Sequence, residues 1–215
     1  MNSAFRLCLA ACAQEAGLTL EPACIDQFEA YYTELLQWNA KFNLTTITAP
    51  EDAAIKHFLD SLLLCKYVPL AGLLLDIGTG AGFPGLPLKI ARPELQIVLV
   101  ESIRKKTSFL KQVIRLLKLE GIEVYNGRIE DFDRCGCFDY AVSRAFSELG
   151  LFCRLAAPFI TPDGRLLAMK GGERSGRATG QVEQVIGFSI IGKHSYALPR
   201  HKGERSLIIL QKCFT

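Results

Sequence analysis

The segment from Leu73 to Gly85 constrains the fold of this chain more than any other stretch. A short apolar run ends at Asp76, and a loop containing Gly78 and Gly80 leads into a helix-like segment. Glycine tolerates positive φ angles and lets a ligand approach the backbone closely. A strand, a glycine loop and a helix in this order predict a cradle for a nucleotide-type cofactor at the carboxyl end of a parallel strand. The pattern fits dinucleotides and other adenosine-containing cofactors alike.

Two details beside the loop favour S-adenosylmethionine over a dinucleotide. Asp76 lies two residues before the first glycine, where its carboxylate can meet a ligand's ammonium group directly or through water. Pro84 stands where the helix begins, a position at which the missing N–H of proline costs nothing. Glu101 ends the second predicted strand and can accept both ribose hydroxyls. Because NAD has the same ribose hydroxyls, Glu101 indicates an adenosine-containing cofactor but does not distinguish S-adenosylmethionine from NAD.

Alternating strands and helices begin at Leu73. We predict strands near 73–78, 97–101, 122–126, 138–143, 165–170, 187–192 and 206–212, with helices near 85–91, 104–119, 148–160 and, more weakly, 174–185. Such alternation predicts an α/β fold with a seven-stranded, mostly parallel sheet, the Rossmann-like class I methyltransferase architecture. The last two strands can form an antiparallel edge hairpin. Residues 1–66 have helical periodicity, so we expect a helical N-terminal extension over 1–66 and a methyltransferase domain over 67–215.

Composition restricts the possible partners and the cellular location. The chain has 215 residues and a net charge of +3, which permits a polyanionic partner without demanding one. Its eight cysteines contain no C-x-x-C pair and it has three histidines, so we expect free thiols in a reducing cytosol and no metal site. No apolar run approaches the roughly 20 residues that span a bilayer. We therefore expect a cytoplasmic protein, monomeric and without a membrane partner.

Polar residues that follow the third and fourth strands are further candidates for the site. Glu130 or Asp131 can accept a hydrogen bond from the adenine amino group, with Ile129 against the ring; the alternative is an ordinary polar turn. Arg144 interrupts an apolar strand end. Its guanidinium can contact a methionine moiety or a nucleic-acid phosphate, and the alternative is an ion pair with a neighbouring carboxylate.

The segment Ser143–Ala145 also excludes several methyl-transfer reactions. Enzymes that methylate exocyclic amino groups commonly carry Asn-Pro-Pro-aromatic at this place, and cytosine-C5 methylation needs a cysteine nucleophile, usually after proline; the chain has neither pattern. What remains is transfer to an atom that is already nucleophilic, such as guanine N7. This atom carries no proton, so catalysis can rest on alignment and exclusion of water.

Basic residues on two predicted loops are candidates for phosphate contacts. Arg104 and Lys105 open the helix after the second strand, while Arg200 and Lys202 lie in the loop between the last two strands. Lys170 can add to the same face. Such groups bind nucleic acid in a salt-dependent way, although ordinary solvated charge is the alternative. Exposed aromatic rings can stack on a base, but core packing is their commoner role, and this applies to Phe42, Phe83 and Tyr196.

The assembled motifs resemble those of the bacterial small-subunit ribosomal RNA guanine-N7 methyltransferases, also called glucose-inhibited division protein B. The matching segments are Trp38-Asn with Phe42-Asn-Leu-Thr45, His57-Phe-Leu-Asp-Ser61, Asp76 to Gly85, Arg128-Ile-Glu130, Ser143-Arg-Ala145, Lys170-Gly171 and Gly203-Glu-Arg205. They span nearly the whole chain. The Phe-Pro-Gly ending of the glycine loop is more specific than its glycines.

The resemblance implies N7 methylation of one guanosine in 16S ribosomal RNA, on the RNA or the small ribosomal subunit, with S-adenosylmethionine as cofactor. It implies cofactor contacts by Gly78, Phe83, Ile129, Glu130 and Arg144. It also implies that three basic side chains face the RNA, namely Arg128, Lys170 and Arg205. Arg128 and Arg144 are the candidates for a catalytic role. Glu101 stands where the family commonly has aspartate, and either residue can accept ribose hydroxyls.

Two other classes of function fit part of the sequence. An NAD-linked oxidoreductase would share the glycine loop and Glu101, but it should also carry a catalytic histidine, Tyr-Lys pair or metal, and no such set is evident. A cofactor-binding regulator would bind S-adenosylmethionine without transferring its methyl group.

Overall fold

A seven-stranded sheet forms the centre of the molecule. The computed structural model describes residues 3–144, 146, 148–171 and 187–213. The strands are β1 (Gly72–Ile77), β2 (Leu95–Glu101), β3 (Ile122–Asn126), β4 (Phe138–Ser143), β5 (Ile160–Gly171), β6 (Phe188–Ala197) and β7 (Glu204–Lys212). Their order across the sheet is β3-β2-β1-β4-β5-β7-β6. The neighbours among β1 to β5 are parallel, and β7 runs antiparallel to β5 and β6. The predicted mostly parallel sheet with an antiparallel end is confirmed.

Helices precede the sheet and connect its parallel strands. They are α1 (Ala4–Glu15), α2 (Pro22–Phe42), α3 (Pro50–Ala53), a π-helical segment (Ala54–Leu59), α4 (Asp60–Leu62), α5 (Gly85–Ala91), α6 (Arg104–Leu116) and α7 (Leu149–Ala156). The helical N-terminus is as predicted. The predicted helix over 174–185 lies outside the described residues. Strand β5 begins earlier than predicted, because Thr161-Pro-Asp-Gly164 has the composition of a turn. Strand β6 extends beyond the prediction into a segment whose side chains are at most half-buried.

The two faces of the sheet bury alternate residues of each strand, as the period of a strand requires. Leu74 and Leu99 belong to a core shared with α1, α2, α5 and α6. Leu75 and Val98 point to the opposite face and pack with α7. Because both faces are covered, the central strands are almost continuously apolar, which is typical of parallel sheets.

The N-terminal helices belong to the same hydrophobic core as one face of the sheet. Phe28 and Tyr31 of α2 are buried together with Leu86 of α5 and Phe109 of α6. The Tyr31 hydroxyl also donates a hydrogen bond to the carbonyl of Ala81 in the glycine loop. The extension therefore packs directly against the loop that follows β1, and a domain boundary at residues 66 and 67 stays a prediction.

The strand order reverses between β1 and β4, and this reversal places the functional site. The chain continues from β1 to β2 on one side and from β4 to β5 on the other side. A crevice therefore opens beyond the carboxyl ends of β1 and β4. The Ser143 hydroxyl donates to the carbonyl of Ile77 over 2.9 Å and joins the two strand ends. The segments after β1, β2, β3 and β4 all reach this edge.

Candidate functional site

The buried carboxylate of Asp76 fixes the glycine loop after β1 through hydrogen bonds. Asp76 is 0% exposed, and its Oδ2 accepts hydrogen bonds from Thr79 Oγ1 at 2.6 Å and the Gly85 amide at 2.8 Å. Burial raises the pKa of Asp76 to about 6. Its Oδ1 is buried without a partner among the described residues. Asp76 thus organises the loop, and its contact with an ammonium group of a ligand stays a prediction.

Glu101 is positioned by backbone amides at the end of β2. Its Oε2 accepts a hydrogen bond from the Gly80 amide at 3.0 Å, and its Oε1 accepts one from the Ile103 amide at 2.9 Å. Lys106 Nζ lies 3.9 Å from Oε2. Since each carboxylate oxygen has two lone pairs, Glu101 can accept further hydrogen bonds while it keeps both amide contacts.

The first cavity lies beside this carboxylate and has a volume of about 340 Å³. The residues that line it come from the ends of β1, β2 and β3 and from the segment after β4: Ile77, Gly78, Val100, Glu101, Ser102, Gly127, Arg128, Ile129, Glu130 and Phe146. Five of the predicted site residues therefore meet here. Phe146 was missed, because nothing in its sequence context separates it from a core phenylalanine.

The shape and chemistry of the first cavity fit an adenosine-containing cofactor. Gly78 has a φ of +71°, and a Cβ built there meets no atom within 4 Å, so the backbone is open toward the cavity. Glu101 supplies a carboxylate of the kind that binds ribose hydroxyls. Ile129 supplies buried apolar surface and Glu130 an exposed acid. The residues present have the chemistry that a nucleoside requires, namely a carboxylate, an apolar surface and an open glycine backbone.

Phe83, at the end of the glycine loop, belongs to a stack of rings. Its centroid lies 4.5 Å from the His57 ring and 5.3 Å from the Tyr31 ring, with interplanar angles of 13° and 15°. The Arg144 guanidinium lies 5.2 Å from the centre of the Phe83 ring. Phe83 is 3% exposed. Packing against neighbouring rings explains why Phe83 is buried. Its contact with the cofactor stays a prediction.

A second cavity, of about 300 Å³, opens on the other side of the Arg144 segment. Its lining comes from the N-terminal helices and the loop after α2, from the residue that follows β4, from the end of β5 and from the start of β7: Ile47, Lys56, His57, Asp60, Arg144, Met169, Lys170, Gly171 and Arg205. Three predicted residues meet here, namely Arg144, Lys170 and Arg205. Four of its nine lining residues are cationic and one, Asp60, is acidic, so the charged part of the lining is mainly positive.

Asp60 anchors the basic side chain of Arg205. The Asp60 carboxylate is 1% exposed; its Oδ2 accepts from Arg205 Nε at 3.0 Å and its Oδ1 accepts from the Tyr196 hydroxyl at 3.2 Å. Desolvation first, then the nearby Asp60 charge, raises the pKa of Tyr196 beyond its ordinary value. The role of Asp60 was not predicted. A single acid within an apolar helical stretch was a signal in the sequence, but the sequence did not show that Arg205 is its partner.

Arg144 is held by two neutral acceptors. Its Nη1 donates to the Lys56 carbonyl at 3.1 Å, and its Nη2 lies 3.2 Å from His57 Nδ1. The alternative considered for this residue was an ion pair with a carboxylate. Among the described residues, no carboxylate forms an ion pair with Arg144; Asp60 and Asp76 act on its charge only from farther away.

Four other predicted RNA-binding residues lie on the surface, outside the two cavities. Arg104 and Lys105 are exposed at the start of α6, where Lys105 Nζ lies 5.6 Å from the centre of the Phe42 ring. Lys202 pairs with Asp52 at 2.9 Å and Glu51 at 3.2 Å, and Arg200 lies 3.8 Å from Glu51. These acids reduce the local charge, and a contact of the four residues with RNA stays a prediction.

Two further properties concern the described part of the chain as a whole. Within it, no three side chains of the metal-binding types come close enough together to hold an ion. Within the same residues, none of the helices has the length and apolar character that crossing a membrane requires.

The sequence of this chain is similar to those of known proteins over most of its length. The family model described as rRNA small subunit methyltransferase G, GidB, matches residues 24–205. A protein named ribosomal RNA small subunit methyltransferase G from Geobacter sp. (strain M21) is 40% identical over 202 residues, covering 92% of this chain and 93% of its own length. A protein of the same name from Bacillus pumilus (strain SAFR-032) is 34% identical over 207 residues, covering 93% and 87%.

A solved structure is similar in fold. The crystal structure of M. jannaschii TYW2 in complex with AdoMet aligns with a TM-score of 0.59 at 13% identity, covering 73% of this chain and 74% of that one. Such a low identity supports the fold alone, which is the Rossmann-like class I methyltransferase fold. The match to the family model and the identity to its members over nearly the whole length show that this chain belongs to the rRNA small subunit methyltransferase G family.

Proposed function

We propose that this chain transfers a methyl group from S-adenosylmethionine to N7 of one guanosine in 16S ribosomal RNA. The observation that carries the proposal is a pair of cavities on either side of the segment after β4. One has the size and polarity of a nucleoside site, and the charged side chains that line the other are mainly cationic. Family membership supports both halves, since the relatives are named as small-subunit ribosomal RNA methyltransferases.

On the cofactor side, three lining side chains and the glycine loop have distinct tasks in this proposal. Glu101 accepts the ribose hydroxyls, Ile129 packs against the adenine ring, and Glu130 accepts from its amino group. The backbone at Gly78 and Gly80 lets the ligand approach closely. When bound, S-adenosylmethionine supplies an electrophilic methyl group on a sulfonium centre.

On the RNA side, we assign phosphate contacts to the basic residues near the two cavities, Arg128, Lys170 and Arg205. Cationic side chains that neutralise phosphates release counterions, so RNA binding should weaken steeply as salt rises. Arg104, Lys105, Arg200 and Lys202 lie farther out and would contact a longer stretch of RNA.

Catalysis in this proposal needs no general base. Guanine N7 has a free lone pair and no proton to remove. Arginine is not deprotonated in proteins, so Arg128 and Arg144 would act through charge and orientation. The chain then accelerates transfer by aligning the two reactants and excluding water, a proximity effect. We also propose that the protein acts as a monomer in the cytoplasm, without a metal.

Transfer of labelled methyl from S-adenosylmethionine to small ribosomal subunits that lack the modification tests the proposal. Borohydride reduction and aniline treatment then cleave the RNA at N7-methylguanosine. We expect one new cleavage site in 16S RNA. Naked 16S RNA and assembly intermediates, assayed in parallel, identify the preferred substrate. Binding of S-adenosylhomocysteine without transfer to any of the three would contradict the proposed function and favour a regulatory role.

A further inference from the structure

Phe42, the last residue of α2, is the most exposed aromatic residue that the structure describes. It is 38% exposed and is a member of neither hydrophobic core. The other two rings considered for stacking on a base have other contacts: Phe83 is buried in its ring stack, and the Tyr196 hydroxyl donates to Asp60. A single exposed apolar residue is common on protein surfaces, so the surroundings of Phe42 must decide its role.

The Phe42 ring is held in place by its neighbours. The Trp38 ring, one turn earlier in α2, has its centre 5.4 Å from that of Phe42 and 5.8 Å from that of Phe109 in α6. Trp38 is itself partly buried against the core, and its indole N–H donates to Glu34 at 2.8 Å. A ring that is already held in position loses little conformational entropy when a ligand stacks on it.

Cationic side chains lie next to this ring. Lys105 Nζ, in the first turn of α6, is 5.6 Å from the centre of the Phe42 ring. Arg104 precedes Lys105 and Lys41 precedes Phe42 in the chain, and all three cations are exposed. Within the described part of the chain, none of the three has a carboxylate within 4.0 Å. The two cations of the loop between β6 and β7, in contrast, are paired with acids.

The position of Phe42 relates it to both cavities. Helix α6 begins two residues after Ser102, which lines the first cavity. Three residues after Phe42, Thr45 Oγ1 lies 2.9 Å from Nε2 of His57, and His57 lines the second cavity. Phe42 is therefore close to segments that form both cavities, where the nucleotides that flank a target base have to lie.

We propose that Phe42 is a stacking platform for an unpaired base that flanks the target guanosine, and that Arg104 and Lys105 bind the phosphates beside this base. The inference rests on the proposed function for the identity of the RNA. Proteins recognise unpaired RNA bases by stacking them on aromatic side chains, and cations beside the ring bind the backbone. The flexible stem of Lys105 lets its ammonium move from the ring face to a phosphate when a base stacks.

Two substitutions of Phe42 distinguish stacking from apolar packing. Phe42→Tyr keeps an aromatic face, whereas Phe42→Leu keeps apolar bulk without a ring. We would measure the affinity for unmodified small ribosomal subunits and for naked 16S RNA by filter binding, without cofactor. We expect both affinities to fall about fivefold or more in Phe42→Leu, as the loss of one base–aromatic stack implies. In Phe42→Tyr they should stay within about twofold of the wild type.

The salt dependence separates the ring from the cations. A stacked ring releases no counterions, so Phe42→Leu should leave the slope of log affinity against log salt unchanged. Lys105→Gln should reduce the steepness of this slope by about 0.7–0.9, the value for one phosphate contact. Lys111→Gln removes an exposed charge farther along α6 and should leave the slope unchanged.

Two controls exclude indirect effects of the substitutions. Leu116→Ala removes an exposed apolar side chain at the other end of α6 and should leave RNA affinity unchanged. The dissociation constant of S-adenosylhomocysteine should stay within about twofold in the Phe42 variants, because their ring is placed on the RNA side.

Wild-type RNA affinity in Phe42→Leu, or equal losses in Phe42→Leu and Phe42→Tyr, would overturn the proposal. A loss with subunits but not with naked RNA would also overturn it, because a ribosomal protein would then contact the ring. Phe42-dependent binding of both RNA substrates without methylation by the wild type would contradict the proposed function and support the platform. Methylation that is equally efficient in the wild type and in Phe42→Leu would support the proposed function and contradict the platform.

Discussion

Gly78 combines a left-handed backbone with an open approach to the first cavity. Its φ is +71°, and no atom lies within 4 Å of a Cβ built there. Any side chain at this position strains the backbone and also enters the space that we assign to the cofactor. The two costs can be separated, because Gly136 has the same kind of backbone, with a φ of +62° and open space, in a loop remote from the cavity.

We predict that Gly78→Ala weakens S-adenosylhomocysteine binding at least tenfold, whereas Gly136→Ala leaves it unchanged. Both substitutions should lower the free energy of unfolding by a similar amount, about 1 kcal/mol, because both place alanine in the left-handed region. Calorimetric titration and urea unfolding measure the two effects. Equal cofactor affinity in both variants would move the cofactor away from the loop.

At the scale of elements, an ion pair joins the beginning of strand β7 to the first residue of α4. Arg205 Nε donates to the nearly inaccessible Asp60 carboxylate, which also accepts from Tyr196 of β6. Removing one partner of such a pair leaves an uncompensated buried charge, which costs more than the pair contributes.

We predict that Arg205→Met lowers the free energy of unfolding by about 3 kcal/mol, and that adding Asp60→Asn recovers much of this loss. Urea unfolding of the two variants and the wild type measures both effects. An Arg205→Met protein as stable as the wild type would show that the ion pair contributes little.

The elements also show which parts of the site a sequence can reveal. The glycine loop is contiguous, and the ends of parallel strands must share one edge, so Gly78, Glu101, Ile129 and Glu130 were predicted from local patterns, whereas Phe146 was missed. The second cavity joins residues near 47–60, 144, 169–171 and 205. Their proximity depends on how α2, α3 and the π-helical segment pack on the sheet, and no local pattern encodes that packing. Asp60 and the role of His57 were missed for this reason.

At the scale of the whole molecule, the extension and the sheet share one core. Leu86, Leu99 and Phe109 are buried together with α1 and α2. We predict that residues 67–215 expressed alone do not unfold cooperatively, because this face would be exposed to water. Urea unfolding and the dispersion of an amide NMR spectrum, each compared with the full chain, test this. A well-dispersed spectrum with S-adenosylhomocysteine binding would establish an independent domain beginning at residue 67.

Two buried groups should shape the pH dependence of stability in opposite directions. The pKa of His57 falls from 6.5 to about 3 on folding, so the unfolded chain binds the extra proton and stability decreases as the pH falls below 6.5. The pKa of Asp76 rises from 3.8 to about 6, so the folded protein binds the extra proton and stability increases as the pH falls from 6 toward 3.8.

We predict that the loss of unfolding free energy between about pH 7 and about pH 5 is smaller in His57→Asn than in the wild type, and larger in Asp76→Asn. Each group contributes at most about 1.4 kcal/mol per pH unit. Urea unfolding at both pH values measures the differences, and only the change with pH within each variant is compared. Parallel pH profiles for all three proteins would show that neither group titrates differently on folding.

The sequence by itself determined the sheet, the glycine loop and the carboxylate at Glu101, because alternating hydrophobicity and glycine positions are local properties of the chain. Tertiary structure decided how charge is distributed. It pairs Lys202 with Glu51 and Asp52, gives Arg144 neutral partners, and places Asp60 beneath Arg205. Charges interact through space over a few ångströms, so their partners are known only once segments far apart in sequence have been packed together.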